Sequence, residues 1–363
     1  MNTKETNNSS SLQKLIFAFS LLILALISGL VLGNMYLNPM VYRTSHMQEV
    51  AQALAQGKNY GVYDTNINWR ALRREQIKLM SETPQVVVSG GSRWQEASSI
   101  HTPGKTFFNA FGHSDFSEDF FAIVHLLEEN GRMPETLVLS LRYSIFAPIA
   151  DRDATGWREW VPEYEAMMAK LGLEPHSASE TGRKNHWLAL LSIKDLVSLA
   201  KRRLSSREHP HILNEEDSET LDVIRSDGSL QWSKKNANLF TPEYAEKDSI
   251  KRLARYTDYT LRIDADMVDA TDRLFAYLKE KKVKVVLAQT PFHPTFYDGI
   301  KQRQYGQTLD EIEEIGRKFS LKYDFPIVGG FDPKEVGCPK EEFIDWHHGT
   351  PDCLAKIFSQ IKF

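Results

Sequence analysis

The chain has little of several things that would place it quickly. Only two of its 363 residues are cysteine, Cys338 and Cys353, with no CxxC pair and no Cys/His cluster at zinc spacing, so no structural metal is expected. There is no excess of positive charge. Forty-four Lys and Arg stand against 48 Asp and Glu, a net charge of −4, and no global basic field recommends nucleic acid as a partner. No internal repeat is visible. One stretch lacks charge altogether: Leu15 to Gly33 reads LIFAFSLLILALISGLVLG, 19 residues. As a helix it spans roughly 28 Å, close to the hydrocarbon thickness of a bilayer.

That absence of charge sets the organisation expected for the rest. The uncharged run extends from Lys14 to Arg43, with Tyr36 and Tyr42 as interface anchors. Lys4 and Lys14 precede the span and Glu5 partly offsets them, a thin positive-inside bias that favours a cytoplasmic N-terminus and an extracytoplasmic domain. A cleaved signal peptide is the competing reading. Its apolar region is usually shorter, and no A-x-A-like site follows this one. The expected plan is a tail over residues 1–14, a membrane anchor over 15–36, a helical connector over 37–83 and a globular domain over 84–363.

What remains is ordinary globular material, 42% hydrophobic and 25% charged. Gln85 to Ser89 is a β-branched run that suits a buried strand, and Thr106–Phe108, Thr136–Leu141, Val283–Ala288 and Phe325–Val328 read as further strands. Helical patterns fall over Asp115–Glu129, Met267–Lys282, Leu309–Phe319 and Pro351–Ile361. Short apolar strands alternating with helices predict an α/β domain with a parallel sheet covered on both faces. Between about 144 and 250 the alternation breaks, predicting an insertion, read as a lid or substrate-shaping subdomain. It contains a long helix near Asn185–Leu204 and a hairpin, Leu221–Ile224 and Leu230–Trp232, turning near Asp227-Gly228.

Two segments carry candidate chemistry. Gly90-Gly91-Ser92-Arg93 follows the first strand of that domain, where ligands of open α/β sheets bind and where glycines permit a tight turn. Ser92 is a candidate nucleophile; an ordinary strand-to-helix turn or a phosphate-holding loop is the alternative. Near the other end, Asp345-Trp346-His347-His348 places Asp345 and His348 three apart, a spacing that lets the carboxylate orient the imidazole. A surface Asp-His pair before a helix is the plainer reading. Thr350 as N-cap, Pro351 at the first helical position and Asp352 against the helix dipole fix the loop's exit. His347 is the alternative base, although the spacing favours His348. His293, in the turn Pro291-Phe292-His293-Pro294, either touches substrate or builds a rigid turn, the turn being favoured. His113 and Ser114 have no assignable partner. Lys201, Arg202, Arg203 and Arg207 read first as a solvated face, second as a contact for an anionic polymer or lipid headgroups.

Taken together, Ser92 after the strand and the Asp345/His348 pair before the last helix resemble the SGNH (GDSL-type) hydrolase superfamily, over roughly residues 84–362 without the insertion. Within it the chain looks most like the membrane-anchored branch serving cell-envelope polymers, which includes the alginate O-acetylation proteins and the D-alanyl transfer protein of teichoic acid synthesis. The resemblance implies a three-layer flavodoxin-like fold, no metal or other cofactor, and hydrolysis or transfer of an acyl ester through an acyl-serine on Ser92, with His348 as base and Asp345 as its orienter. It implies a cell-envelope glycan or acylated polymer as substrate and a membrane acyltransferase as a protein partner. The usual GDS(L) is Gly-Gly-Ser-Arg here, and the superfamily's GxND block, source of an oxyanion-hole Asn, is not present. Candidate oxyanion donors are the Ser92 and Gly112 backbone N–H groups and the Asn109 and Arg142 side chains, each side chain equally readable as structural. A non-catalytic accessory or polymer-binding protein of envelope assembly is the alternative function. Cys338 and Cys353 bracket the Asp345/His348 segment, and an oxidising compartment would permit a disulfide. The alternative is that Cys353 packs as a small apolar residue and Cys338 is incidental.

Overall fold

The structure, a computed structural model, describes residues 5–36, 39–62, 67–112, 116–148, 157–175, 212–256 and 262–363. The expected helix near Asn185–Leu204, the basic residues Lys201 to Arg207, and His113 and Ser114 lie outside the described residues. The chain divides into two units, the second comprising Met47–His176 and Pro210–Phe363. In the first unit, helix Glu5–Tyr36 contains an apolar run, Gln13–Gly33, none of which is buried within the protein. Its length and composition are sufficient to cross a membrane.

Among the described residues of the second unit there are nine strands: β1 (Asn59–Val62), β2 (Val86–Ser89), β3 (Phe107–Asn109), β4 (Thr136–Ser140), β5 (Ile212–Leu213), β6 (Asp222–Ile224), β7 (Leu230–Gln231), β8 (Lys284–Gln289) and β9 (Ile327–Gly329). Five form one sheet in the order β3-β2-β4-β8-β9, every neighbouring pair parallel. Val86, Val88, Val138, Val286 and Val328 share a core with Leu354, Ile357 and Phe358 of helix Pro351–Phe358. The intervening Val87, Leu137, Leu139, Val285 and Leu287 point the opposite way and are equally sealed. Such two-sided burial is why these strands read as continuous apolar runs rather than alternating ones. Among the remaining helices, Ala265–Glu280 and Gln304–Tyr323 meet edge-on through Phe275 and Phe319, whose ring centroids are 4.9 Å apart.

The connector departs from expectation. It is not helical throughout: helix Pro39–Ala55 stops at Gly57, which takes φ +78, and β1 follows before helix Trp69–Leu79 resumes. Only glycine adopts that left-handed conformation without steric cost. β1 then becomes the second strand of a four-stranded antiparallel sheet, β5-β1-β6-β7, whose other strands come from the expected insertion. Tyr60, Ile224 and Leu230 share a second core with Val50, Leu54, Leu72 and Phe111.

The hairpin expected at Leu221–Trp232 is therefore present as β6 and β7, turning through Gly228 at φ +86. Its turn is bonded to the segment after β2 and to β3. The Leu230 N–H donates to Gln95 O at 2.7 Å, the Asn109 N–H to Asp227 O at 2.7 Å and the Ser99 N–H to Asp227 Oδ2 at 2.9 Å. A Cβ on Gly228 would lie 2.3 Å from Asn109 O, so only glycine allows this approach. The buried Arg73 guanidinium closes the junction, donating to Phe111 O, Gln76 Oε1 and Gly228 O. Burial pulls its pKa down to about 9 against the opposing pull of Asp227.

Candidate active site

β2 runs straight into Gly90-Gly91-Ser92-Arg93, the segment of the candidate nucleophile. Gly90 is required there: a Cβ would lie 2.5 Å from Trp94 Cδ1 and 2.8 Å from Ser140 Cβ, both inside van der Waals contact. The chain then enters a one-turn 3-10 helix, Ser92–Trp94, whose first residue is Ser92. Trp94 is fully buried on the face carrying the last helix, which holds the turn down and leaves Ser92 half-buried at the rim.

The Asp345/His348 loop is pinned at its base. Phe343 and Gly349 form an antiparallel bridge, the Ile344 N–H donates to His348 O at 2.8 Å, and the Thr350 N–H donates to Glu342 O at 2.9 Å. Lys356 reaches back to Glu342 at 2.6 Å. Cys338 and Cys353 are joined in a disulfide that closes a 15-residue separation around the loop. The two readings open for the cysteines thus resolve to the bridged one.

These constraints bring three predicted residues together across 256 positions of sequence. His348 Nε2 lies 2.9 Å from Ser92 Oγ, and His348 Nδ1 lies 2.7 Å from Asp345 Oδ2. An ionised carboxylate only accepts, so Nδ1 carries the proton and Nε2 is left to accept from the Ser92 hydroxyl. Asp345 is itself immobilised, because its Oδ1 accepts the His347 and His348 backbone N–H groups, both at 2.9 Å. Burial alone would push the Asp345 carboxyl up; the charges of His348 and His347 and these hydrogen bonds outweigh it and hold the carboxyl well below the usual carboxylate range. It stays ionised throughout the range in which an imidazole works.

His347 does not face Ser92. Its ring packs against Trp346 and His348, with centroids 3.9 and 4.1 Å away. Burial first, and the charge of His348 second, hold its pKa well below the ordinary histidine value. Among the described residues it is the His348 ring, not this one, that bonds Ser92.

The expected oxyanion donors divide. Asn109 is fully buried, and both of its amide hydrogens are committed, to Trp94 O and Ala97 O at 2.7 Å each, while its Oδ1 accepts from the Phe111 N–H. It staples the Ser92 segment, which is the structural one of the two readings open for it. The Gly112 N–H is likewise taken, donating to Gly90 O at 2.8 Å. The Ser92 N–H, at the start of its helical turn, has no acceptor among the described residues. Arg142, just past β4, is half-buried; its guanidinium lies 4.8 Å over the Tyr143 ring and Nη2 donates to the Tyr143 hydroxyl at 2.9 Å. Its charge reaches the site, helping to depress His347. His293 takes the rigid-turn role: fully buried, it caps helix Pro294–Ile300 by accepting the Thr295 N–H on Nδ1, and its own N–H donates to Trp346 O.

Glu96, which nothing in the sequence singles out, lies four residues beyond Ser92, buried where this segment meets the hairpin. Desolvation lifts its pKa to about 8, opposed by Trp232 and Arg225 and assisted by Asp222. Between the ordinary carboxyl pKa and 8, the folded protein holds a proton that the unfolded chain has lost. Stability therefore falls as pH rises through that window. Thermal melts from pH 5 to 9 are expected to decline for the wild type and to be flatter for Glu96→Gln; equal slopes would remove Glu96 as the cause.

The chain matches no protein-family model and no curated protein.

Proposed function

We propose that this protein is a membrane-anchored serine esterase or O-acyltransferase of SGNH type, acting on an acylated cell-surface glycan. The observation that carries the reading is the continuous hydrogen-bonded line Ser92 Oγ, His348, Asp345, the arrangement that acyl transfer through a serine requires. Two features of the sheet add support. Numbered along the chain from β2, the parallel strands run 2-1-3-4-5, the order of flavodoxin-like sheets. The triad lies at their carboxyl ends, beside the point between β2 and β4 where the order reverses.

In this reading Ser92 Oγ attacks the acyl carbonyl carbon as its proton passes to His348 Nε2. The carbonyl oxygen becomes the oxyanion, with the Ser92 N–H as one donor to it. Collapse breaks the ester bond, and the departing hydroxyl takes the proton from Nε2, leaving an acyl-serine. Water or a sugar hydroxyl then attacks the acyl carbon, giving its proton to His348 Nε2, and as the bond from that carbon to Ser92 Oγ breaks Nε2 returns the proton to Oγ. The same residues serve either acceptor.

A fluorophosphonate probe tests the reading without a known substrate. Covalent labelling of the full-length protein, lost in Ser92→Ala, is expected. An unlabelled wild type would favour the second reading, an accessory protein that binds polymer without turning it over. The engagement of Asn109 and Gly112 elsewhere is the observation on that side.

Export is part of the proposal. The disulfide suits an oxidising compartment, as the thin positive bias before the apolar run does an outward-facing domain. A reporter fused after Phe363 is expected to be active only if it functions outside the cytoplasm, and the protein to stay in the pellet on alkaline carbonate extraction. Activity of a cytoplasm-only reporter would overturn the topology, and release by carbonate would overturn the anchor.

A further inference from the structure

We infer that Arg93, the residue directly after the nucleophile, is a positioning residue that sets the Ser92–His348 distance by tying three separate loops to one guanidinium; this rests on the serine-transfer reading above. Arg93 is 6% exposed. Its Nε donates to His347 O at 2.9 Å, within the base loop, and its Nη2 donates to Thr290 O and Pro291 O, both at 2.5 Å, in the loop after β8. The guanidinium carbon lies over the Phe292 ring, 4.5 Å from its centroid. The backbone that carries Arg93 also carries Ser92, and the carbonyl accepting from Nε belongs to the residue preceding His348. Nucleophile and base are thus joined twice, once through their own hydrogen bond and once through this side chain.

The chemistry makes the second link matter. A triad works only when the reacting atoms are held near their productive separation, and an error of about 1 Å costs on the order of 10²-fold. The Ser92 to His348 bond must break and re-form in every cycle, so it cannot by itself maintain the spacing. The Arg93 bonds persist through the cycle because none of their atoms reacts. Only a guanidinium does this, since its donors form a rigid planar fork reaching acceptors on two sides, and a lysine ammonium offers one point charge.

Arg73 supplies the internal control. It is also fully buried and donates to three acceptors, but it holds the hairpin junction and touches neither catalytic loop. The experiment compares wild type, Arg93→Lys, Arg93→Gln and Arg73→Lys in the full-length detergent-solubilised protein. It reads thermal melting, the rate of fluorophosphonate labelling per folded molecule, and kcat and KM for an activated acetyl ester. For Arg93→Lys the labelling rate and kcat are expected to fall about 10²-fold with KM changed less than about twofold, and Arg93→Gln to fall at least as far. Arg73→Lys is expected to lower the melting temperature while its labelling per folded molecule stays at the wild-type rate. Wild-type labelling in folded Arg93→Lys would overturn the inference, as would equal losses in the Arg73 and Arg93 variants, or failure of both Arg93 variants to fold, each of which makes Arg93 structural only. A wild type that never labels overturns the serine-transfer reading itself, and the inference with it.

Discussion

Ser92→Ala is expected to abolish fluorophosphonate labelling and to lower acetyl-ester turnover by at least about 10⁴-fold, with the fold intact. The fold survives because Ser92 is a half-buried rim residue whose side chain, among the described residues, bonds His348 alone; losing one such bond costs about 1 kcal/mol. His348→Ala should cost nearly as much activity, since residues that act as a unit are strongly non-additive. Asp345→Asn is the more diagnostic change. Asparagine can accept the His347 and His348 N–H groups as Asp345 Oδ1 does, so the loop keeps its shape. Its amide, however, can donate toward His348 Nδ1 and favour the tautomer whose Nε2 bears the proton, which cannot accept from Ser92. A loss on the order of 10⁴-fold in kcat with little change in melting temperature is expected. His347→Ala removes a ring that contacts Trp346 and His348 but no atom of the proton path, and a loss within about tenfold is expected. Three triad variants that turn over ester at the wild-type rate would refute the enzyme, whatever the fold.

The parts of this arrangement that were legible in the sequence are those whose signal is local. The strands of the parallel sheet stand out because each is buried on both sides and therefore uniformly apolar, as in Val86-Val87-Val88. Ser92, Asp345 and His348 stand out because each sits where a strand ends or a helix begins. The antiparallel sheet was only half visible. Its hairpin has a local turn signal at Asp227-Gly228, but β1 is four residues of mixed character, and its partners Ile212 to Ile224 lie some 150 positions away. Helical residues on both sides then made the whole connector look helical. The role of Asn109 stays open in the sequence for another reason: a buried amide that staples carbonyls and one that stabilises an oxyanion have the same letter, and only the acceptors separate them. Arg93 shows no role in the sequence because its acceptors at Thr290, Pro291 and His347 are backbone carbonyls, which carry no side-chain signature.

The second large effect expected is on stability, through the Cys338–Cys353 disulfide. Both residues are buried in the core shared by the last helix and the sheet, and a Cβ on Gly349, the residue after His348, would lie 3.0 Å from Cys353 Sγ. The bridge therefore sits directly beneath the base loop. Closing a loop with a sequence separation of 15 is worth about 3 kcal/mol through the entropy removed from the unfolded chain. The double variant Cys338→Ala, Cys353→Ala is expected to melt several degrees lower, at roughly 2–4 °C per kcal/mol for a domain of this size class. At low temperature its turnover should stay close to wild type. The Phe343–Gly349 bridge, the Ile344 to His348 hydrogen bond and the Lys356–Glu342 ion pair all remain to hold the loop. The two measurements separate a staple that stabilises the loop from one that shapes it: a lowered melt with retained kcat means the first, and a collapsed kcat at a temperature where the variant is folded means the second. Alkylation of the denatured protein without reductant, followed by mass spectrometry, should find neither cysteine modified, because both are held in the bridge rather than merely buried. Two alkylated cysteines there would end the disulfide, and with it one of the two supports for an extracytoplasmic domain.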